Sequence, residues 1–133
     1  MIDYFNSIFT AVATELRKQV PGIFVTGEIN DSNVKKFPCV QIEENNNVPK
    51  HRDSANRSKY AAISLRVRVY SNKTSGRIAE ARYILDVVDS VLEPLNFYRK
   101  SFAPLNGLYN NSVYRIDCSY GATIREDGMI YRN

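Results

Sequence analysis

Few residues in this chain stand where their side chains are able to do chemistry. The single histidine, His51, is flanked by Arg52 and Asp53 in a strongly polar stretch. A general base needs a fixed orienting partner and a sheltered pocket, and this context supplies neither, so His51 reads as a solvated residue. Glu43 and Glu44 are adjacent, and neighbours on a strand point to opposite faces, so they do not readily share a metal. Asp86 and Asp89 share a helix face, but Arg82 precedes Asp86 by four residues and is placed to pair with it. The glycines do not gather into a phosphate-cradling loop. Ser75-Gly76-Arg77 reads as a helix entry rather than an anion site. Cys39 and Cys118 have no CxxC spacing and each falls inside an expected strand, so both are expected as buried, reduced core residues. Phe and Tyr do not stand in an RNA-reading arrangement. No catalytic centre, metal site or cofactor site is legible, and the expectation is a protein that is not an enzyme.

The elements that would hold these residues are clearer. In Ala62-Ile-Ser-Leu-Arg-Val-Arg-Val-Tyr70, the apolar Ile63, Leu65, Val67 and Val69 alternate with Ser64, Arg66 and Arg68, the period of a strand with one buried face. Beyond the turn at Ser71 to Gly76, a helix follows. Its stripe is Ile78, Ala81, Leu85, Val88 and Leu92, widened by Ile84, Val87 and Val91. So wide a stripe predicts packing on a sheet and on something else too. Glu93-Pro94 ends it. An earlier helix is expected over residues 2–19, with Phe5, Ile8, Phe9, Val12 and Leu16 inward and Pro21-Gly22 as its stop. Strands are expected over Ile23–Ile29 and Phe37–Glu43, with Pro38 at a strand start or on an edge. Phe97–Phe102 reads as a further strand. In the segment from Ser112 to Ile124, Tyr114, Ile116, Cys118, Tyr120, Ala122 and Ile124 share one face. Asp127-Gly128 signals a closing hairpin returning through Met129 to Tyr131.

Between Glu44 and Ser58 apolar periodicity disappears, and the sequence predicts a long polar loop between strands 2 and 3 that orders on a partner. The fold class that results is α+β. It has a mostly antiparallel sheet, two main helices packed on one face, and a single domain over residues 1–133. The opposite face would display Arg66, Arg68, Arg115 and Asp117.

At 133 residues the chain is long enough to bury a core without staples. Its net charge of +4 is dispersed, which argues against a dedicated DNA binder. Nine tyrosines and no tryptophan suit surfaces that are partly wet and partly buried, as subunit interfaces are. The apolar runs are too short to span a membrane. The start lacks a basic region followed by a hydrophobic block, so the chain is expected to be made in a cytoplasm.

Two strings carry a family resemblance. One is Val69-Tyr-Ser-Asn-Lys-Thr-Ser-Gly-Arg-Ile-Ala-Glu-Ala-Arg, with its helix ending before Leu95-Asn-Phe97. The other is Val113-Tyr-Arg-Ile with Tyr120-Gly121, followed by Asp127-Gly-Met-Ile-Tyr-Arg132. With the order of elements from about Phe37 onward, the chain resembles the tail terminator (tail completion, or head–tail joining "minor capsid") proteins of long-tailed bacteriophages and prophages. That resemblance implies a structural virion protein in the tail or neck, assembled in the host cytoplasm. Its subunits would form a homo-oligomeric ring, commonly a hexamer, on the last ring of the tail tube. The ring would stop tube growth and offer a surface to the neck or head-completion protein, and DNA would pass through it unread. The resemblance carries over no functional side chain. From the residues themselves, the expected partner contacts are Lys50, His51, Arg52, Arg57 and Lys59 in the polar stretch, and Arg66, Arg68 and Arg115 on the open sheet face. The competing readings are a head-closure or connector protein of the neck and a small nucleic-acid-binding module.

Overall fold

In a computed structural model, residues 5–27, 36–52, 58–107, 113–125 and 130–131 are described. Side chains are described for these residues except 45–52, 58–61, 105–107, 124–125 and 130–131. The elements in chain order are α1 (Phe5–Gln19), β1 (Phe24–Thr26), β2 (Cys39–Arg52), β3 (Ser58–Ser71), α2 (Arg77–Leu92), β4 (Tyr98–Gly107), β5 (Val113–Arg125) and β6 (Ile130–Tyr131). One sheet runs β1-β2-β3-β5-β4, with β6 paired to the far end of β5. Every pairing is antiparallel except β1 with β2. The class is therefore α+β with a mixed, mostly antiparallel sheet, as the sequence predicts.

The alternating segments behave as their patterns require. On β3, Ile63, Leu65, Val67 and Val69 are buried; across β5 they face Ala122, Tyr120, Cys118 and Ile116 in register. Val40 and Ile42 of β2 complete this face. Ile8, Val12 and Leu16 of α1 and Ala81, Ile84, Leu85, Val88 and Leu92 of α2 close the core over it. α2 lies on β3 and β5 and also packs against α1, which accounts for the breadth of its apolar stripe. Ile78 departs from the expectation at 43% exposed. It shares a seven-residue spacing with Leu85 and Leu92, on the flank of α2 that faces β4, where no second helix lies among the described residues.

The entry to α2 is made by Gly76, whose φ of 88° is left-handed and suits a residue without a Cβ. Ser71, fully buried at the end of β3, donates its hydroxyl to Glu80 Oε1 at 2.6 Å, tying strand to helix. At the far end, Pro94 sits in a 3₁₀ turn, Glu93–Leu95, rather than in the helix. Pro38 stands just before β2, and its carbonyl accepts the Phe24 N–H at 3.0 Å. β4 is an edge strand, the position where its Pro104 is tolerated. The Asp127-Gly128 turn lies outside the described residues, but β5 and β6 pair as a hairpin requires, Ile124 opposite Ile130.

The polar stretch is where the sequence reading needs correcting. Residues from Glu44 to Arg52 are not a loop: they continue β2, paired with β3 out to Arg52 opposite Ser58. Backbone hydrogen bonds hold this ribbon without an alternating apolar face, and register shifts at Glu44/Asn46, Pro49/His51 and His51/Arg52 break its regularity. Its reach follows from geometry. The 16 residues of α2 span about 24 Å, which matches the stretch of β3 from Ser71 back to Ser64. Ile63 is still in the helix-covered core, so the strand pair runs beyond that core for residues 58–62 of β3 and their β2 partners, about 16 Å, with β5 alongside as far as Tyr60.

Candidate assembly surfaces

Three groups of residues are placed by this framework. The first is the β2–β3 arm. Lys50, His51 and Arg52 lie at the end of β2 and Lys59 at the start of β3, with His51 opposite Tyr60. Arg57 lies outside the described residues. The arm brings these basic positions together at one end of the sheet. Lys59 is nine residues along β3 from Arg68, or about 30 Å, so the arm and the sheet-face arginines form separate surfaces.

The second group is the sheet face away from the helices. Register puts Arg66 beside Glu43 and Ser119, Arg68 beside Gln41 and Asp117, and Arg115 beside Tyr70. Glu43 and Glu44 do point to opposite faces, since Glu44 is opposite Leu65. The arginines are less displayed than the sequence suggests. The side chains of Arg68 and Arg115 are only 15% and 13% exposed, and both are drawn to Asp117. Arg115 approaches its two carboxylate oxygens at 2.9 and 3.1 Å, and Arg68 lies 3.4 Å from one of them. Beside them, Tyr70 is fully buried with Cys39 and Val113 in a small second core and donates its hydroxyl to Gln41 Oε1. Further along, Lys100 emerges from a bulge in β4, crosses Gly121 and donates to Ser64 Oγ at 3.1 Å. A Cβ at position 121 would stand 3.0 Å from the Lys100 chain, so any other residue there would make the lysine give by a few tenths of an ångström.

The third group joins Asp89, which the sequence gives as part of a charged helix face, to residues of β4 and β5. Asp89 accepts the hydroxyl of Tyr120 and lies 3.5 Å from Arg99. Burial and that carboxylate push the Tyr120 phenol well above its ordinary range. Arg82 does not form an ion pair with Asp86 among the described residues. Its guanidinium lies over the Phe102 ring at 5.3 Å, and that of Arg99 lies 5.5 Å from the same ring. These residues flank a groove between α2 and β4. One part, about 220 Å³, is lined by Asp89, Glu93, Phe97, Tyr98, Arg99 and Tyr120. The next, about 510 Å³, is lined by Arg82, Leu85, Asp86, Arg99 and Phe102. Nothing local in the sequence ties Asp89 to Tyr120; the connection exists only once β5 lies under α2.

Both cysteines are free and buried. Cys39 lies on the face away from the helices and Cys118 on the helix face, with β3 between their strands, so they cannot form a disulfide with one another. Burial pushes both thiols up to about 11, leaving them protonated and poorly nucleophilic at neutral pH. Among the described residues no cluster of His, Cys, Asp and Glu is arranged to hold a metal ion, and no helix is long and apolar enough to cross a membrane. No protein-family model and no curated protein matches the chain.

Proposed function

We propose that this chain is a structural assembly protein of the phage tail terminator type. In this reading, copies close into a ring on the end of a tail tube, stop its growth, and present a surface to the neck or head-completion protein while DNA passes through. The observation that carries the reading is the β2–β3 arm. Beyond Glu44 the β2 strand has a polar sequence and is paired on one side only, with β3, among the described residues. Its extension beyond the helix-covered core supports a role in contacting another molecule. The two strings that resemble the family belong to the α2 entry and to β5–β6, so they fall on the framework that positions the arm. Identical weak contacts closed by rotation, seated on a symmetric tube, add avidity that one copy lacks.

The test is light scattering and electron microscopy of the purified chain, alone and with tube protein that polymerises to uncontrolled length. Tubes of limited length with density at one end are expected, and Lys50→Glu with Arg52→Glu in the arm should weaken the effect while preserving the circular dichroism spectrum. The reading is overturned if tubes grow equally long and the chain remains a 15.2 kDa monomer in both settings. A salt-sensitive shift of labelled DNA, without any effect on tubes, would favour a nucleic-acid-binding module instead.

A further inference from the structure

The sheet gathers charges that the sequence scatters. On its face away from the helices stand Arg66, Arg68 and Arg115 at the centre, with Lys100 reaching in from β4. Phe24 of β1 shares this face with Cys39, and Lys36 lies over its ring at 5.4 Å. Against these five cations the face sets two carboxylates among the described residues, Glu43 and Asp117. The whole chain has 18 basic and 14 acidic residues, so most of its net charge of +4 lies on this one face. Arg125, opposite Tyr60, holds a further register position on it. The engagement of these groups differs. Arg68 and Arg115 are drawn down to Asp117, which leaves that trio with one net positive charge close under the surface. Lys36 and Lys100 are exposed and form no ion pair among the described residues. Beside Arg66 in register, the hydroxyls of Ser119 and Ser101 meet at 2.6 Å.

We infer that this face makes sequence-independent contact with the phosphates of double-stranded DNA. Arg, Lys and Ser side chains are among the groups that meet phosphate oxygens. Duplex DNA presents a charge about every 1.7 Å of its axis, so cations at the centre and both margins of a sheet about 19 Å wide each find one without a dedicated spacing. An acidic protein surface is the other polyanion, and the apolar residues argue against it. A protein interface is anchored by large apolar or aromatic side chains near its centre. Among the described residues the exposed ones lie elsewhere: Phe24 at the margin, Phe102 on the helix face, Ile78 and Tyr83 on α2, and Leu95 in the turn after it. The same distribution argues against single strands, whose bases stack on exposed aromatic rings. The contact goes beyond the ring reading, which lets DNA pass without naming the face it passes.

The experiment is fluorescence anisotropy of two labelled duplexes of unrelated sequence, titrated with the purified chain between about 50 and 150 mM salt. Wild type should bind both alike, and three phosphate contacts, by Lys36, Arg66 and Lys100, should make its affinity fall about twentyfold across that range. Arg66→Gln with Lys100→Gln should bind more weakly and reduce the fall to about threefold. Lys36→Gln with Lys100→Gln, both at exposed positions, replaces that pair if its circular dichroism spectrum or melting curve departs from wild type. Arg17→Gln with Lys18→Gln removes the same charge from the exposed end of α1 and should leave the salt dependence as it is. Four results would each overturn the contact: no binding at low salt, an α1 pair that weakens binding as much as the face pair, a face pair that changes nothing, or equal competition by polyglutamate. Tube capping is read without DNA, so any of them leaves the ring reading standing, and a failure of capping leaves this contact standing.

Discussion

Replacing Tyr120 by Phe deletes one hydroxyl and leaves the shape of the core alone. Tyr120 is 2% exposed and its ring packs beneath α2, so Phe fills the same space and no cavity cost arises. What is lost is a hydrogen bond to the Asp89 carboxylate, of the charged class that contributes about 1.5–3 kcal/mol. The upper part of that range does not apply. The Asp89 side chain is 28% exposed, so water and Arg99 take up the freed oxygen, and a loss of about 1.5 kcal/mol is expected. In a domain of this size that corresponds to a melting temperature lower by about 6 °C. Asp89→Ala should cost more, about 3 kcal/mol, because it strands the phenol in the core without an acceptor and removes the partner of Arg99. The assay is urea unfolding at pH 7 followed by circular dichroism, reading the midpoint at constant slope. If Tyr120→Phe is neutral, or costs as much as Asp89→Ala, the account of this contact is wrong.

Three further outcomes follow from other parts of the molecule. Both cysteine thiols titrate near 9.0 when exposed and are pushed up to about 11 in the fold, so the folded chain holds its thiol protons longer than the unfolded one. Their contribution is whole below pH 9 and is lost as pH rises toward 11, by at most about 2–3 kcal/mol for each thiol. The urea midpoint should fall across that window, and less steeply in the Cys39→Ala, Cys118→Ala double variant; an unchanged slope would count against buried thiols as its source. Asp117→Ala removes the carboxylate that Arg68 and Arg115 share and should cost about 2 kcal/mol, with Asp117→Asn recovering part, measured by the same unfolding curves. Gly76→Ala meets no atom within 4 Å, so its cost is the left-handed backbone alone, about 1 kcal/mol, and Gly76→Asn should cost less.

The parts of the fold legible in the sequence are those whose burial is written locally. β3 and β5 alternate strictly, and every inward residue assigned to them that is described at side-chain level is buried. α2 shows its stripe with equal clarity, and Gly76 and Pro94 mark its ends. β2 beyond Glu44 was not legible because its order comes from a partner. Asn45 to Arg52 has no face of its own to bury, and it is a strand because β3 offers it a ladder. Ile78 misled for a related reason: helical spacing says which residues share a flank, not how far along the flank the cover extends. The Asp89–Tyr120 contact joins residues 31 positions apart, and read alone Asp89 looks like solvated helix surface. The sheet-face arginines were placed correctly, but Asp117 was read as one more displayed charge when it is the residue that holds Arg68 and Arg115 down.

The margins of the sheet bear on how copies would join. β4 offers ten residues of edge, and β2 from Ile42 to Arg52 has no described strand on its outer side. Edges this long invite strand-to-strand pairing, and an open sheet that adds copies by its backbone tends toward fibres rather than rings. Both edges carry the features that oppose this. Lys100 sits in a bulge on β4 and Pro104 removes a donor further along. β2 carries Pro49 and three register shifts within the nine residues from Glu44 to Arg52. Ladder pairing is thereby disfavoured at both margins, and side chains are left as the means of contact. A contact made by side chains sets its angle through their packing, whereas a continued ladder inherits the twist of the sheet. For a chain proposed to close a ring of fixed size, contact through side chains meets that requirement, and extension of β4 by a neighbouring strand does not.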